Sequence, residues 1–344
     1  MELSGRKQAI LAAIIKSYID TGEPVGSKAL CNLLDMGLSS ATLRNEMSEL
    51  CEHGWLEQPH TSAGRIPTNA AYRLYIDQLM ERHSLSPAMR QAIDNLLAEA
   101  AKDPERMALV AGQMLADFIG FPTLQAYVPG SRAYVRRLEL MPMGRRTILI
   151  VLITSDGRAR SRICRSGSEL TAATIDRFDR MMTSRIIGSE LSNFTAAFMQ
   201  SLTAESGEYI LALAPLISCV FEMVEELHSA KFRLNGGHKR LSLCDDERDA
   251  RRLEGVLARQ DEILPILAHI TRPVDVVFGA NTGIDELRPS NMVVARYKMG
   301  GSECGRIGVI GPTRMAYDEV VPSIEYFAAK LEQMLQQAAT DMED

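Results

Sequence analysis

The stretch from Leu38 to Thr68 constrains the fold most, because its pattern changes from one helix to one short β-hairpin. Ser39 or Ser40 can cap the helix, since a serine hydroxyl accepts hydrogen bonds from free backbone N–H groups. Apolar residues then recur at helical spacing and predict one buried face: Leu43, Met47 and Leu50. Gly54 is expected to end the helix.

The hairpin follows at once. Residues 55–58 alternate as a strand does, and Ser62 to Gly64 forms a turn before Arg65. Two helical segments precede the stretch, at 4–20 with Ser4 as cap and at 27–34 with Ala29, Leu30, Leu33 and Leu34 facing inward. Three helices and a hairpin in this order predict a winged helix-turn-helix.

The third helix has a polar face suited to a DNA major groove. At roughly 100° per residue, Asn45 points away from the apolar stripe. Asparagine pairs with adenine through two hydrogen bonds, arginine pairs with guanine, and alanine or a threonine methyl contacts thymine. The candidate DNA-contacting residues of this helix are Ser40, Ala41, Thr42, Arg44, Asn45 and Ser48. An ordinary solvated helix face is the alternative.

The flanking segments supply further DNA-binding candidates. Lys28 lies near a helix N-terminus and can contact phosphate, although plain surface is an equal alternative. Gly64 and Arg65 are expected at a tight hairpin tip, where an arginine can reach the minor groove or phosphate. His60 and Thr61 can donate to phosphate, or they can satisfy the groups of the turn itself.

Four motifs resemble those of one protein family. Residues 22–27 (GEPVGS), 40–47 (SATLRNEM) and 59–68 (PHTSAGRIPT) are similar to the N-terminal signature of HrcA, the bacterial heat-inducible transcription repressor. Residues 308–315 (GVIGPTRM) resemble its C-terminal signature. The resemblance therefore covers nearly the whole chain.

The resemblance implies a cytoplasmic homodimer that represses chaperonin and DnaK-type operons. Its DNA target would be an inverted-repeat operator, the CIRCE element, and the GroE chaperonin would keep the repressor active. The family fold implies a GAF-like domain interrupted by an inserted dimerising domain. One segment departs from the family, because residues 279–282 (GANT) lack the glutamate of a Gly-x-Glu-Asn pattern.

The expected fold class is therefore α+β and multidomain. We expect a DNA-binding domain at 1–83, a GAF-like domain at 88–165 and 237–344, and a mostly helical insertion at 166–236. The strands at 123–164 are expected to form an antiparallel sheet, and these strands with those at 274–310, separated by a helical block, suggest one α+β domain with an insertion. The apolar run from Tyr209 to Phe221 is either a dimer face or a buried core helix.

Charge and cysteine usage narrow the function classes. The net charge of the 344 residues is −6, and residues 1–83 carry 8 Lys and Arg against 10 Asp and Glu. This balance argues against a DNA binder driven by charge alone. The six cysteines show no metal spacing and are expected to be reduced and buried. The longest apolar run is too short to span a bilayer.

No pattern in the chain predicts catalysis, a metal or a cofactor. The glycines at 300–311 lack a following Gly-Lys-Ser/Thr, and Ser166 to Ser168 lacks the frame of a nucleophile elbow. The carboxylates at 245–247 suit a helix N-terminus. We therefore expect a protein that is not an enzyme. A metabolite-responsive regulator with a ligand in the GAF-like domain is the alternative to the chaperone-gene repressor.

Overall fold

The structure is a computed structural model. It describes residues 3–34, 37–60, 63–81, 84–100, 104–127, 133–155, 157–229, 231–236, 247–299 and 302–341. Thr61 and Ser62 of the expected hairpin tip lie outside these residues, as do Gly300, Gly301, Asp245 and Asp246.

The N-terminal unit, residues 3–81, contains the expected helices and hairpin. Its elements are α1 (Gly5–Thr21), α2 (Ser27–Leu33), α3 (Ser40–Glu52), β1 (Leu56–Glu57), β2 (Ile66–Pro67) and α4 (Asn69–Leu74), which continues as a π-helical turn over Tyr75–Leu79. Ser4 caps α1 by accepting from the Lys7 amide, as expected. Gly22 ends α1 at φ +70°, a conformation that glycine adopts without strain.

The expected inner face of α2 is only partly right. Leu30 is fully buried, but Ala29 is exposed and the side chain of Leu33 is 55% exposed. The helix is seven residues long, and it meets α1 and α3 mainly through the turn that carries Leu30. Because only this turn of α2 reaches the core, Leu30 is buried while the other apolar residues of the stripe are not fully covered.

The body of the chain is built on a five-stranded antiparallel sheet in the order β7-β3-β10-β9-β8. Its strands are β3 (Thr123–Tyr127), β7 (Lys231–Asn235), β8 (Val274–Phe278), β9 (Ser290–Met299) and β10 (Ser302–Pro312). Helices α5 (Pro87–Ala100), α6 (Pro104–Ile119) and α12 (Tyr317–Asp341) cover one face. Helices α10 (Glu247–Leu257) and α11 (Gln260–Ala268) cover the other.

A second unit is inserted between β3 and β7, which are hydrogen-bonded neighbours in the first sheet. Its antiparallel sheet has the order β4-β5-β6, with β4 at Val135–Gly144, β5 at Thr147–Thr154 and β6 at Ala159–Arg165. Helices α7 (Ala172–Arg185), α8 (Ala196–Glu205) and α9 (Ile210–His228) complete it. This inserted unit, residues 133–229, has a hydrophobic core of its own.

The expectation that the strands at 123–164 form one sheet, in one domain with those at 274–310, is wrong for all but β3, which pairs with β10. Strands β4, β5 and β6 belong to the inserted unit, so the unit begins near 133 instead of 166 and is mixed α/β instead of mostly helical. Conversely, β7 lies in a segment expected to be helical and forms an edge of the first sheet. Apolar alternation predicts a strand but does not state which sheet the strand joins.

The apolar run from Tyr209 to Phe221 forms the core of the inserted unit. Leu213 and Leu216 of α9 are fully buried, and Ile217 and Val220 are 2% and 1% exposed. The core-helix alternative is therefore confirmed. Only the first turn of the helix exposes large apolar side chains, at Ile210 and Leu211.

The expectation of six reduced cysteines is wrong for one pair. Cys164 of β6 and Cys219 of α9 form a disulfide across the inserted unit, with their Cα atoms 6.4 Å apart. Cys31 and Cys51 are free thiols and half-buried. Within the described ranges, no helix is both long and apolar enough to cross a membrane.

The N-terminal unit and the five-stranded sheet share one continuous hydrophobic core. The rings of Tyr72 and Tyr317 meet across the junction with centroids 5.8 Å apart, and both side chains are buried. Burial raises the pKa of both hydroxyls. The guanidinium of Arg314 packs against Gly22, 3.0 Å from where a Cβ atom would lie. Any other residue at position 22 would displace that arginine.

Charged contacts reinforce the junction. Arg73 pairs with Asp275 at 2.9 Å, donates to the Val276 carbonyl, and lies 4.9 Å from the ring centroid of Phe278. A second pair of opposite polarity, Asp77 with Arg272, has a distance of 3.1 Å. The N-terminal unit is thus joined to strand β8 and its preceding turn by two ion pairs.

Replacing Arg73 with alanine should lower the free energy of unfolding by about 2 kcal/mol, because one side chain supplies an ion pair, a hydrogen bond and a cation–π contact. Urea denaturation measures the change. Arg288→Ala is the matched control, since its pair with Asp285 is exposed on both sides, and should change stability by less than about 0.5 kcal/mol. Equal losses in both variants would contradict a special role for the junction.

Candidate nucleic-acid interface

The third helix, α3, separates a buried face from an exposed one. Leu43, Met47 and Leu50 are 1%, 4% and 0% exposed and pack into the core of the N-terminal unit, which confirms the expected stripe. Ala41, Arg44 and Asn45 are exposed, whereas Thr42 and Ser48 are half-buried. No other described residue engages the Arg44 or Asn45 side chains. These two groups are therefore available to a partner in solvent.

The start of α3 is fixed by a network of hydroxyl groups. Ser39, not Ser40, is the cap: its Oγ accepts from the Thr42 amide at 3.1 Å and lies 2.9 Å from the Thr42 hydroxyl. The Ser40 hydroxyl lies 3.0 Å from that of Ser27 in the first turn of α2. The N-termini of α2 and α3 are thereby held side by side. Backbone N–H groups at helix N-termini attract phosphate.

Two polar groups of the exposed face are already satisfied within the helix. The Ser48 hydroxyl donates to the Arg44 carbonyl at 3.0 Å. Thr42 shares its hydroxyl with Ser39. Both side chains still present carbon atoms at the helix surface, but their hydroxyls must exchange a partner before they can bind a base. Asn45 and Arg44 carry no such cost.

Two ion pairs with α1 hold α3 in place. Arg6 lies 2.5 Å from an oxygen of Glu46, whose side chain is 8% exposed, and Lys7 lies 2.5 Å from an oxygen of Glu49. The hydrogen bond from Lys7 lowers the pKa of Glu49, and the same bond raises the pKa of Lys7. Neighbouring cations on α1 thus meet carboxylates one turn apart on α3, which fixes its rotation about its own axis.

Glu46 and its arginine partner were missed from the sequence. The signal was present, because Glu46 follows Leu43 by three positions and therefore falls on the buried stripe. A charged residue at a buried position requires a partner. The sequence does not state that the partner lies forty residues earlier.

The hairpin pairs Leu56 with Pro67 and Glu57 with Ile66. A third segment extends this sheet, since the amides and carbonyls of Val25 and Arg65 exchange two hydrogen bonds of 2.9 Å. At Gly64 a Cβ atom would lie 2.5 Å from the Val25 carbonyl group, so only glycine allows this approach.

The expectation that Gly64 and Arg65 lie at a tight hairpin tip is therefore wrong. Both residues pack against the connection between α1 and α2, because their backbone is paired with Val25 there. Arg65 is half-buried, and its guanidinium lies near the Cys51 thiol of α3. Burial raises the pKa of that thiol and Arg65 partly opposes the shift.

The remaining candidates occupy the edges of the same surface. Lys28 is exposed in the first turn of α2. His60 is exposed near the end of the hairpin, where its carbonyl accepts from the Ala63 amide at 2.9 Å. Thr61 lies outside the described residues. Among the residues that the structure describes, no three His, Cys, Asp or Glu side chains form a metal-binding group.

Comparison with known proteins decides the family. Residues 105–321 match the model of the HrcA protein C-terminal domain. This chain belongs to the HrcA family. The heat-inducible transcription repressor HrcA of Thermobifida fusca is 31% identical over 335 residues, covering 97% of each chain. That of Symbiobacterium thermophilum is 29% identical over 339 residues, covering 96% of this chain and 98% of the other.

One solved structure has a similar fold. The crystal structure of a hypothetical protein at 2.2 Å resolution aligns with 98% of this chain and all of the other at 21% identity, with a TM-score of 0.62. The likeness shows the fold alone. Family membership makes this chain a negative regulator of transcription, and a repressor of this family binds DNA.

Replacing Glu46 with alanine should destabilise the protein by about 1 kcal/mol, since the change removes the packing of a nearly buried side chain and its ion pair with Arg6, whose own side chain is 55% exposed. Glu52→Ala is the matched control, because Glu52 is an exposed carboxylate on the same helix, and should cost less than about 0.5 kcal/mol. Urea denaturation of Arg6→Ala, Glu46→Ala and the double variant gives the coupling of the pair. A coupling energy of zero would show that the contact does not hold α3.

Proposed function

We propose that this HrcA-family protein represses class I heat-shock operons by binding an inverted-repeat CIRCE operator as a homodimer. The observation that carries the proposal is the exposed face of α3, with Asn45 and Arg44 unengaged beside paired helix N-termini. In this proposal the N-terminal unit is a winged helix-turn-helix, and each subunit reads one half-site.

The proposed base contacts follow from side-chain chemistry. Asn45 pairs with adenine and Arg44 with guanine, while Ala41 and the methyl of Thr42 contact thymine. Ser48 contacts the edge of the half-site after giving up its bond to the Arg44 carbonyl. These contacts rest on exposure and on the helical position of each residue.

Other groups place the helix in the groove. The first turns of α2 and α3, with Lys28 and Ser40, face phosphate through free backbone N–H groups. His60, near the end of the hairpin, and its sequence neighbour Thr61 are the proposed contacts to the adjacent DNA backbone. Gly64 and Arg65 hold the hairpin against the rest of the N-terminal unit, because Gly64 packs on Val25 and Arg65 lies beside Cys51. With a net charge of −2 over residues 1–83, affinity depends on base contacts and on two half-sites bound together.

Asn45→Ala should weaken binding to a CIRCE duplex by about 5-fold to 150-fold, the equivalent of about 1–3 kcal/mol, with little change on a scrambled duplex. Fluorescence anisotropy at fixed salt measures both. Asn32→Ala is the matched control, because Asn32 is exposed near the end of α2 away from Ser27, and should bind like wild type.

Two results would contradict the assignment. Equal losses of affinity on the CIRCE and scrambled duplexes would show that Asn45 does not contact bases. Wild-type protein that binds the CIRCE and scrambled duplexes equally under every condition would remove the proposed operator itself.

For the dimer contact we propose the outer face of the three-stranded sheet in the inserted unit. A row across its strands joins Met141, Leu149 and Ile163, of which Met141 and Ile163 are 46% and 63% exposed. The next rows carry Arg137 and Glu139, which form an ion pair at 2.6 Å. An apolar centre bordered by both charges is complementary to a second copy of itself under two-fold symmetry.

Ile163→Glu should convert a dimer into a folded monomer, because it places a charge at the centre of the apolar face. Light scattering coupled to gel filtration measures the mass, and circular dichroism checks folding. Leu211→Glu is the matched control, an exposed leucine of α9 in the same unit, and should remain dimeric. Dissociation by Leu211→Glu alone would move the interface to the start of α9.

The proposal extends to control by the GroE chaperonin. An exposed apolar sheet face on an unassembled subunit is a surface that must be covered to keep the subunit soluble. Binding to CIRCE DNA should therefore tighten when purified chaperonin is present during refolding. Unchanged binding with and without chaperonin would leave the repressor without this control.

One observation bears on the metabolite-responsive alternative. A cavity of about 400 Å³, bounded by α6, β10 and α12, has mostly apolar walls that include Phe118, Phe121 and Met315, with Arg314 and Glu319 at its charged side. Arg314 also packs against Gly22 of the N-terminal unit. A ligand that raised the melting temperature and altered operator affinity together would favour this alternative.

A further inference from the structure

The disulfide between Cys164 and Cys219 is out of place in a transcription repressor. A regulator that binds DNA works in the compartment that holds the chromosome, where cellular thiols keep cysteines reduced. Disulfides found in proteins of such compartments are mostly transient and redox-sensing. The pair therefore requires an explanation other than permanent cross-linking of a secreted domain.

The bond lies within a row of other contacts between β6 and α9. Ser166 donates to the Ala212 carbonyl at 3.0 Å, on one side of the disulfide. On the other side, Arg162 donates to Glu222 and Glu226 of α9. The disulfide thus joins a strand to a helix that are also held together by non-covalent contacts on both sides of the bond.

A further contact continues the row. Arg158, just before β6, donates to the Leu227 carbonyl in the last turn of α9. Because non-covalent contacts act along the whole length of the strand, the two sulfur atoms stay close when the bond opens. Closure then needs little conformational search, and opening leaves the unit folded.

We propose that Cys164 and Cys219 form a reversible thiol-oxidation site, with hydrogen peroxide as its oxidant. Both residues are nearly buried, at 4% and 8% exposure, so a small oxidant reaches them and a protein thiol does not. Cys219 is the more exposed of the two and is the site of first attack. The proposal rests on the repressor family alone and is independent of the operator sequence and the dimer surface.

The reaction balances in two steps. The Cys219 thiolate attacks one peroxide oxygen, the O–O bond breaks, and the leaving hydroxide takes up the thiol proton as water, which leaves a sulfenic acid on Cys219. The sulfur of Cys164 then attacks the sulfenic sulfur, the S–O bond breaks, and a second water departs with the Cys164 proton. Two electrons pass from sulfur to peroxide, and a dithiol reductant returns two electrons and two protons.

The consequence is a change in the stability of the inserted unit. The bond closes a chain segment with a sequence separation of 55 residues, which lowers the entropy of the unfolded state. Oxidation should raise the melting temperature on the order of 10 °C. The oxidised repressor would then keep its inserted unit folded at temperatures that melt the reduced one.

The first experiment uses the full-length wild-type chain. The protein is reduced with dithiothreitol, freed of reductant without oxygen, and divided into untreated and peroxide-treated samples. Mass spectrometry of unreduced peptides identifies the bond, and thermal melts report stability. We expect a Cys164–Cys219 peptide pair only after peroxide, a higher melting temperature, and reversal of both by dithiothreitol.

Variants separate this bond from other oxidation. Cys164→Ala and Cys219→Ala should each abolish the peroxide-dependent rise in melting temperature. Cys51→Ala, which removes a free half-buried thiol of the N-terminal unit, is the matched control and should retain the rise. If an alanine variant fails to fold, the peptide map and melts of the wild-type protein decide the question.

Three results would overturn the proposal. The first is a pair of thiols that stays reduced under peroxide while Cys51 reacts. The second is a bond that dithiothreitol cannot open in the folded protein, because the disulfide would then be permanent. The third is the same melting temperature for the oxidised and reduced proteins.

Discussion

The buried contact between Tyr72 and Tyr317 is the interaction on which the arrangement of the two units depends. It brings the helix that follows the hairpin against the start of the closing helix and sits in one core shared by both units. Arg73, the next residue, adds its ion pair and cation–π contact with strand β8. Because a core of this kind is close-packed, the N-terminal unit has one preferred orientation on the sheet.

This junction joins two of the motifs that lie at opposite ends of the chain. Gly22 belongs to the N-terminal signature and Arg314 to the C-terminal one, and the two residues touch. Gly22 has a positive φ, which favours glycine, and a Cβ atom there would displace the Arg314 guanidinium. The two motifs thus contribute residues to one contact between the N-terminal unit and the body.

The presentation of α3 depends on this junction and on local ion pairs together. Glu46 and Glu49 are held by α1, while α1 itself ends against Arg314 of the body. A rearrangement of the five-stranded sheet would therefore shift α1 and, through it, the position of α3, which carries Asn45.

The sequence by itself determined the local elements of this protein. The stripe of α3, the cap at Ser4 and the hairpin follow from neighbouring residues, because helix periodicity and capping are short-range effects. Tertiary structure alone decided that Thr147–Thr154 joins a separate sheet, that Cys164 pairs with Cys219, and that Arg73 meets Asp275. These are choices of partner between distant segments, and no pattern of polar and apolar residues within one segment states which distant partner it will meet.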